Sequence, residues 1–461
     1  MTIITGKTPL SLTSVVAILS LSLVVNLPGL AITPMLENIK EIFPDSTEME
    51  TQLLTMLPNV LIIPFMLIAG KLSMSRHKIA IVAAGLLIFT GCAVAYLLSD
   101  TMTGLILISC VMGAGAGILV PFSTGLIADS FDGVYKMKEM GLQSGIANMT
   151  LVAATFIVGF MDGNWHLPFT VYLVSLIPLA LTPFLRKIPQ ADAGDRTARQ
   201  AFEDSVAVTQ PEIQAETEVT QPEPLEPPKA RFGRNGFSAG RTAGVFSIYF
   251  GVTFLVIIIS YYCPFLAHQY GWAESFTGTV TSLFFLFVFL PGFFLPVIVR
   301  TFRSATVTVC AAMVSGGLAL MAFIPNEWVV AVGAVMCGLG YGCIQPLMYD
   351  KATRVVDDPR KSTLALAVIL SANYLAIVLT PMVCDAVRDL TDMHNRNTFP
   401  FEMNFVLSLV FILLVVIFRR KFSLEIPSTY YRSGKRQASD LKDKVKGVAS
   451  EIASDIVSKV K

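Results

Sequence analysis

Charged side chains are scarce in this chain. Asp, Glu, Lys and Arg together make up 15% of its 461 residues, whereas about 25% is usual for a soluble globular domain. Hydrophobic residues make up 54%, so the composition excludes an ordinary soluble protein. The formal net charge of +1 carries no information about partners, and nothing in the sequence indicates binding to nucleic acid.

The residue groupings that support chemistry are also missing. The seven cysteines show no C-x-x-C spacing and lie in apolar stretches, so we expect buried free thiols rather than a disulfide framework or a metal site. No Walker lysine motif is present, which excludes ATP as the energy source. No paired carboxylates and no nucleophile with a base stand out. We therefore expect no enzyme activity, no cofactor and no bound metal.

Long hydrophobic runs are what the chain has instead. A helix needs about 20 predominantly apolar residues to cross the hydrocarbon of a bilayer. Twelve stretches meet this requirement, at residues 10–34, 51–72, 78–98, 102–128, 138–161, 167–186, 241–268, 275–299, 304–324, 327–354, 361–388 and 400–420. The first lacks the features of a signal peptide, so we expect it to be retained as a helix. The sequence predicts an all-α membrane protein with twelve transmembrane helices, numbered here in chain order.

Two of these stretches contain the same sequence motif, 225 positions apart. In helices 4 and 10, three alternate glycines precede a proline, as Gly113, Gly115, Gly117 and Pro121 and as Gly338, Gly340, Gly342 and Pro346. Helices 5 and 11 keep this register, because Asn148 and Asn373 have the same offset. The glycines lie inside apolar helices and follow no strand, so they predict close helix packing rather than nucleotide binding. Two related halves are the ground plan of a secondary transporter, in which one half rocks against the other.

The chain divides once, between a six-helix half at 1–186 and a second at 241–421. Residues 187–240 connect them, and 191–230 contain nine acidic and three basic side chains with five prolines. Such a segment cannot bury enough apolar area to order itself, so a disordered cytoplasmic linker is predicted. The tail, 422–461, has apolar residues at helical spacing, which predicts an amphipathic helix that lies on the inner leaflet or packs on another helix.

The orientation follows from Lys and Arg in the short loops, because these residues bias a loop to the cytoplasm. With the N-terminus inside, the inner loops hold 17 of them, whereas the outer loops hold only Lys40, Arg388 and Arg396. Both termini are therefore predicted to be cytoplasmic.

The loop between helices 2 and 3 reads Gly70-Lys71-Leu72-Ser73-Met74-Ser75-Arg76-His77-Lys78-Ile79. It resembles the G-x-L-A-D-R-x-G-R-R loop of the major facilitator superfamily, and with the two six-helix halves the similarity covers nearly all of residues 10 to 420. Gly70, Leu72, Arg76 and Lys78 keep the glycine, the leucine and the basic character of this conformational loop. In the family the acidic residue helps to hold the cytoplasmic side shut, and Met74 stands in its place. Because Met74 cannot accept a charged hydrogen bond, the resemblance implies a weakened or replaced latch.

Helices 5 and 6 resemble those of drug-efflux-like bacterial members of this family. Helix 5 contains Gly141-Leu142-Gln143-Ser144, and residues 163–169 are similar to the family's G-W-R-x-x-F. Two marks of the drug:proton antiporters are absent, because Ser109 takes the place of an arginine in helix 4 and helix 5 has no Gly-Pro pair. The resemblance to that branch therefore extends to its scaffold, whereas residues that couple transport to protons in that branch are absent here.

By the same resemblance, helices 1, 4, 7 and 10 line a central cavity. Polar and aromatic side chains on these helices, with one asparagine each from helices 5 and 11, are the candidates for binding substrate: Asn26, Ser123, Tyr249, Tyr261, Tyr262, Gln345, Tyr349, Asn148 and Asn373. A second interpretation stays open, in which each amide bridges neighbouring helices. Asp385, near the end of helix 11, is the candidate for carrying a coupling proton if it faces the cavity.

The sequence favours a secondary active transporter of a small molecule. The first hypothesis is a bacterial inner-membrane exporter of hydrophobic or amphipathic compounds, driven by protons and functioning as a monomer, as is usual in the family. The alternatives are an uptake symporter or facilitator for a small neutral metabolite, and a membrane receptor that transports nothing. A cavity with amide and aromatic groups but no deep fixed charge favours a neutral or amphipathic solute, because an ion would lose its hydration there without gaining a partner.

Overall fold

Helices account for nearly all of the chain that the computed structural model describes. Residues 2, 3, 5, 10–185, 236–358 and 361–418 are described, except for breaks at 30, 33–34, 36–38, 40–41, 45, 47, 76, 160–164, 273 and 394–395. The tail at 422–461, Arg76 and the linker at 187–240, apart from residues 236–240, lie outside the described residues.

The helices divide into two sets of six. The first half contains α1 Leu12–Ser20, α2 Glu48–Leu72, α3 Lys78–Tyr96, α4 Met102–Ser130, α5 Gly133–Gly159 and α6 Leu176–Leu185. The second contains α7 Ala239–Tyr270, α8 Glu274–Phe302, α9 Thr306–Phe323, α10 Glu327–Ala352, α11 Ser362–Thr391 and α12 Phe399–Phe418. Short 3₁₀ segments follow α1 at Leu21–Val24, precede α6 at Leu167–Ser175 and join α8 to α9 at Arg303–Ala305. A small antiparallel pair of strands, β1 Thr2–Ile3 and β2 Leu10–Ser11, precedes α1.

The described helices are long and apolar enough to cross a membrane many times. Ten candidate spans are found, one of which, Phe276–Phe323, contains both α8 and α9. A shorter apolar helix at Leu12–Val24 contains α1 and its 3₁₀ extension. The twelve predicted stretches therefore correspond one to one with twelve helical segments, and the chain is an all-α, multi-pass membrane protein.

The first helix is shorter than the span predicted at 10–34. Its α-helical part ends at Ser20 and its 3₁₀ part at Val24. Pro28 lacks a backbone donor, and Gly29 has a φ of +74°, a left-handed conformation that favours glycine. A Cβ at Gly29 would collide with the carbonyl of Thr55 in α2. This break leaves Asn26 in a bend rather than on a regular helix.

The repeated glycines lie where helices meet most closely. In α4, the outer two glycines of the motif, Gly113 and Gly117, face the backbone of α2. In α10, the equivalent Gly338 and Gly342 face the backbone of α8. A Cβ added to Gly117 would lie 2.7 Å from the carbonyl oxygen of Ile62. The middle glycines, Gly115 and Gly340, face α3 and α9 in the same way. Pro121 and Pro346 follow them at buried positions inside the same helices.

A larger side chain at such a contact is expected to destabilise the fold. Gly117→Leu forces α4 away from α2, and overpacking of this kind costs about 1–3 kcal/mol or more. Gly91→Leu is the matched control, because a Cβ at Gly91 in α3 meets nothing within 4 Å. We expect the Gly117 variant to melt well below the Gly91 variant when both are purified and followed by intrinsic fluorescence. Equal melting temperatures would contradict the packing role.

The two halves touch at one end of the bundle, which we call the linker end because α6 ends there and α7 begins there. A Cβ on Gly70 of α2 would lie 2.7 Å from Ala367 Cβ in α11, and one on Gly141 of α5 would lie 2.5 Å from the Gly292 carbonyl oxygen in α8. These distances leave no room for solvent between the backbones. The halves are therefore in direct contact at the linker end.

Candidate functional site

A chain of hydrogen bonds between neutral side chains connects the two halves inside the bundle. Asn26 Nδ2 donates to Asn148 Oδ1 at 3.3 Å, and Asn148 Nδ2 donates to Gln345 Oε1 at 3.4 Å. Ser144 Oγ, one turn before Asn148 on α5, donates to the same Gln345 oxygen at 2.5 Å. Gln345 belongs to α10, so this amide joins the second half to the first.

Two tyrosines extend the chain into the second half. Gln345 Nε2 donates to Tyr249 OH at 3.3 Å, and the Tyr249 and Tyr349 hydroxyl oxygens are 3.2 Å apart. The two rings pack edge to face with centroids 5.8 Å apart. Both tyrosines and Gln345 are buried. We define the central network as Asn26, Ser144, Asn148, Tyr249, Gln345 and Tyr349.

Asn373 is the repeat partner of Asn148 but has different contacts. Its Oδ1 accepts hydrogen bonds from Thr253 Oγ1 at 3.1 Å and from Tyr341 OH at 2.9 Å. All three residues belong to the second half, so Asn373 bridges α7, α10 and α11 within that half. The neighbouring Tyr374 OH reaches across to the Val25 carbonyl at 3.3 Å. The repeated asparagines thus hold equivalent positions while only Asn148 contacts the opposite half directly.

Besides Asn373, three predicted cavity residues make no hydrogen bond to the central network. Ser123 Oγ donates to the Val120 carbonyl of its own helix at 2.8 Å. Tyr261 is half-buried, and Tyr262 donates to Asp385 Oδ1 at 2.8 Å. Tyr262 follows Tyr249 by thirteen residues, which corresponds to about 20 Å along a helix.

Asp385 also lies far from the central network. It follows Asn373 by twelve residues on α11, which corresponds to about 18 Å. Its side chain is 61% exposed and lies 3.9 Å from Arg388 Nη1. Its role as the proton carrier stays a prediction, and the structure places it beside Tyr262 rather than beside Gln345.

Three residues hydrogen-bonded in or beside the central network were missed from the sequence, although each had a signal. Ser144 precedes Asn148 by four positions, Tyr341 precedes Gln345 by four, and Thr253 follows Tyr249 by four, so each pair shares a helix face. The bonds of Thr253 had no signal in the sequence, because its partners, Tyr341 and Asn373, lie on other helices.

The central network offers three primary amides and three hydroxyl groups. Amides present both donors and acceptors, and hydroxyls can do either, so such a set adapts to a solute that carries both kinds of group. None of its members is charged at neutral pH, so binding an ion there would leave the ion without a counter-charge. The arrangement can bind and orient a neutral solute.

The conformational loop between α2 and α3 contacts the second half through Gly70, which packs on Leu364 and Ala367 of α11. Leu72 and Met74 are exposed. Lys78 forms an ion pair with Asp129 of α4 at 2.9 Å, within its own half. This loop therefore supports the linker end by packing and by a local ion pair.

An ion pair that the sequence did not reveal joins the halves at the linker end. Lys136 Nζ of α5 lies 3.0 Å from Asp350 Oδ1 of α10, with side chains only 10% and 7% exposed. Lys136 also donates to Thr353 Oγ1 at 2.5 Å, and Arg354 Nε lies 3.1 Å from Asp350 Oδ2. This buried charge pair links the two halves between α5 and α10.

Two related six-helix halves in a multi-pass membrane protein are the ground plan of a secondary transporter. The sequence model of the Major Facilitator Superfamily matches residues 10–381. The chain belongs to this family, and it is a transporter rather than an enzyme. No sequence among curated proteins matches it.

Solved structures share the fold at low sequence identity. The human organic anion transporter MFSD10 (TETRAN) superposes with a TM-score of 0.64 at 14% identity, covering 87% of this chain and 99% of that one. The proton:xylose symporter XylE, bound to 6-bromo-6-deoxy-D-glucose, gives 0.66 at 14% identity, covering 88% and 95%. The resemblance to drug-efflux-like members stays a prediction.

Proposed function

We propose that this chain moves an uncharged, hydrogen-bonding solute across the membrane by alternating access, with the solute held at the central network. The proposal favours the second of the hypotheses drawn from the sequence, a carrier of a small neutral metabolite. The observation that carries it is the position of Gln345. Its amide oxygen contacts Ser144 and Asn148 of one half, and its amide nitrogen contacts Tyr249 of the other.

Gln345 links solute binding to movement of the halves. A solute hydroxyl or amide that enters between Gln345 and Asn148 replaces a hydrogen bond between the halves with bonds to itself. A buried polar group that loses its partner costs about 1–3 kcal/mol, so only a solute with matching donors and acceptors can make this exchange without penalty. An apolar solute would leave the amides unsatisfied.

Proton-driven efflux of amphipathic compounds is the second candidate. The edge-to-face pair of Tyr249 and Tyr349 favours it, because aromatic rings offer apolar surface beside a polar hydroxyl. In both candidates the protein functions as a monomer in a bacterial inner membrane with cytoplasmic termini.

Counterflow in proteoliposomes tests the proposed function. Vesicles are loaded with one unlabelled solute at a time, drawn from sugars, polyols, amides, organic acids and lipophilic cations, and uptake of the labelled form is measured. We expect saturable exchange of an uncharged polyol, sugar or amide. Exchange confined to lipophilic cations or to organic acids would overturn the neutral-solute proposal.

Direction separates the two candidates once a solute is found. Intact cells should accumulate a solute that is imported, and energised everted vesicles should accumulate one that is exported. An ionophore that dissipates the proton gradient should abolish accumulation in either case if transport is coupled to protons. Accumulation of an amphipathic compound only in everted vesicles would support efflux instead of uptake.

A further inference from the structure

A glutamate on α5, behind the contact at the linker end, is buried with one carboxylate oxygen that has no hydrogen-bond partner among the described residues. The residue is Glu139, which is only 8% exposed, and the unpartnered atom is its Oε2. It follows Gly133, the first residue of α5, by six positions, about 9 Å along the helix. Two residues later, Gly141 packs directly on Gly292 of α8.

An ionised carboxylate cannot be buried at low cost unless it is paired and hydrogen-bonded. The protonated carboxyl is neutral, so its burial costs far less. The arrangement with the halves in contact therefore favours the protonated form of Glu139. Separation of the halves at the linker end would admit water and favour the ionised form.

The residues on the same face of α5 show why Lys136 does not pair with Glu139 while the halves touch. Lys136 precedes it by three positions and Gln143 follows by four, so all three share one side of the helix. Lys136 is already engaged across the halves by Asp350 at 3.0 Å and by Thr353. Gln143 directs its Nε2 toward Ser123 Oγ at 3.5 Å, and its own Oε1 is buried without a partner in the described part of the chain.

This geometry allows Lys136 to exchange partners. When the halves separate, Lys136 loses Asp350 and Thr353. The acidic groups one helical turn away are then Glu139 and Asp132, and Asp132 Oδ1 already accepts a hydrogen bond from Gly133 N at 2.8 Å. An i, i+3 pair of opposite charges stabilises a helix. The proton of the Glu139 carboxyl passes to water at the linker end as this pair forms, so proton release and separation of the halves favour each other.

We propose that Glu139 is a proton-binding site that is occupied while the halves touch at the linker end and vacated when they separate, with Lys136 switching from Asp350 to Glu139. The inference rests on the proposed alternating access. It assigns proton coupling to the linker end, beside the contact between the halves, rather than to Asp385 at the opposite end of α11.

Other charged groups lie at the same end of the helices that pack on α5, and they belong to the same electrostatic environment. These are Asp132, Lys136 and Lys138 at the start of α5, Asp129 on α4, Arg300 and Arg303 at the end of α8, Asp350 and Lys351 on α10, and Arg354 just after α10. Glu139 differs from Asp350, the other buried acid among them, in having no ion pair in the described part of the chain, whereas Asp350 pairs with Lys136 and Arg354. The test must therefore remove Glu139 alone.

Distances between spin labels give the population of each arrangement without any solute. Met74 and Thr301 are exposed and lie at the linker end of opposite halves, so cysteines introduced there report separation of the halves. In the wild type, raising the pH from about 5 to about 8 should lower the ratio of touching to separated molecules by up to about tenfold per pH unit. Glu139→Gln, which mimics the protonated form, should stay in the touching arrangement throughout.

Glu402→Gln is the matched control, because this glutamate pairs with Arg396 at the other end of the bundle. It should keep the pH response of the wild type. A pH response retained in Glu139→Gln, or lost instead in Asp385→Asn, would overturn the proposal.

A chemical test on the unmodified chain does not depend on any variant. A hydrophobic carbodiimide reacts with protonated carboxyls, and peptide mass spectrometry locates the adduct. We expect modification of Glu139 at acidic pH that falls as the pH rises, and no adduct at any pH would contradict the proposal. Because neither test uses a solute, failure here with intact counterflow would reject the role of Glu139 alone, and failed counterflow would reject the proposed function alone.

Discussion

Gln345→Leu is expected to reduce solute exchange by at least about a hundredfold. Leucine has a similar length but leaves Ser144, Asn148 and Tyr249 without their shared partner, and each buried group left unpaired costs about 1–3 kcal/mol. The loss falls on binding because the amide is the group that contacts both halves. Initial rates of counterflow over a range of solute concentrations measure the effect.

Asn404→Leu is the matched control for this variant. Asn404 is also a buried amide, but it donates to the Pro400 carbonyl of its own helix at 2.9 Å and lies on α12, outside the central network. It should lower thermal stability and leave exchange by the folded protein nearly unchanged. Equal loss of exchange in both variants would show that burial of any amide, rather than the central network, explains the result.

Lys136→Met is expected to shift the protein toward the arrangement in which the halves are separated at the linker end. Breaking a buried ion pair by removing one partner costs about 3–5 kcal/mol. The lower figure applies here because Asp350 keeps Arg354 at 3.1 Å. The touching arrangement loses about 3 kcal/mol, whereas the separated one loses only the Lys136–Glu139 pair, about 0.2–0.5 kcal/mol. The ratio of the two arrangements therefore changes by about a hundredfold. Spin labels at positions 74 and 301 should then report a longer distance.

The chain offers a control at the equivalent position of the repeat. Lys361 lies 225 residues after Lys136, and it pairs at 3.6 Å with Asp357 within its own half. Because both partners are partly exposed, this pair contributes little to stability. Lys361→Met should leave the label distances unchanged. An unaltered distance in Lys136→Met would show that packing alone holds the linker end together.

The two halves and their close helix contacts could be predicted, because the same glycine motif occurs twice in the sequence at an offset of 225 residues. Gly117 lies where α2 approaches α4, and Gly342 lies where α8 approaches α10. The two glycines are 225 residues apart, so the repeat preserves this contact in both halves. The end of the first helical segment, at Ser20 for α1 and at Val24 for its 3₁₀ extension, was harder to place. Pro28 and Gly29 signalled a break, but hydrophobicity continues through residue 34 and does not show where the hydrogen bonding stops.

The candidate site was predicted in part. Five of the candidates come together, and each is a polar residue within a predicted apolar stretch: Asn26, Asn148, Tyr249, Gln345 and Tyr349. Whether they bind solute stays a prediction.

The partners of the repeated asparagines could not be predicted from the sequence. Asn148 and Asn373 share a position in the repeat, but their contacts depend on which residues face them from other helices. The partner of Asn148 is Gln345, and the residue equivalent to Gln345 in the first half is Val120, which has no polar side chain to offer Asn373. Lys136 and Asp350 are 214 residues apart, and no local pattern links charges at such a separation.

Solute-dependent thermal stabilisation of the purified protein tests the central claim most directly. A ligand at a hundred times its Kd stabilises the folded state by about 2.7 kcal/mol, so a panel of neutral, anionic and cationic solutes separates the classes in one experiment. We predict that an uncharged solute bearing hydroxyl or amide groups raises the melting temperature of the wild type and leaves that of Gln345→Leu unchanged. Stabilisation by charged or purely apolar solutes alone, or equal stabilisation of both proteins, would contradict a neutral solute held at the central network.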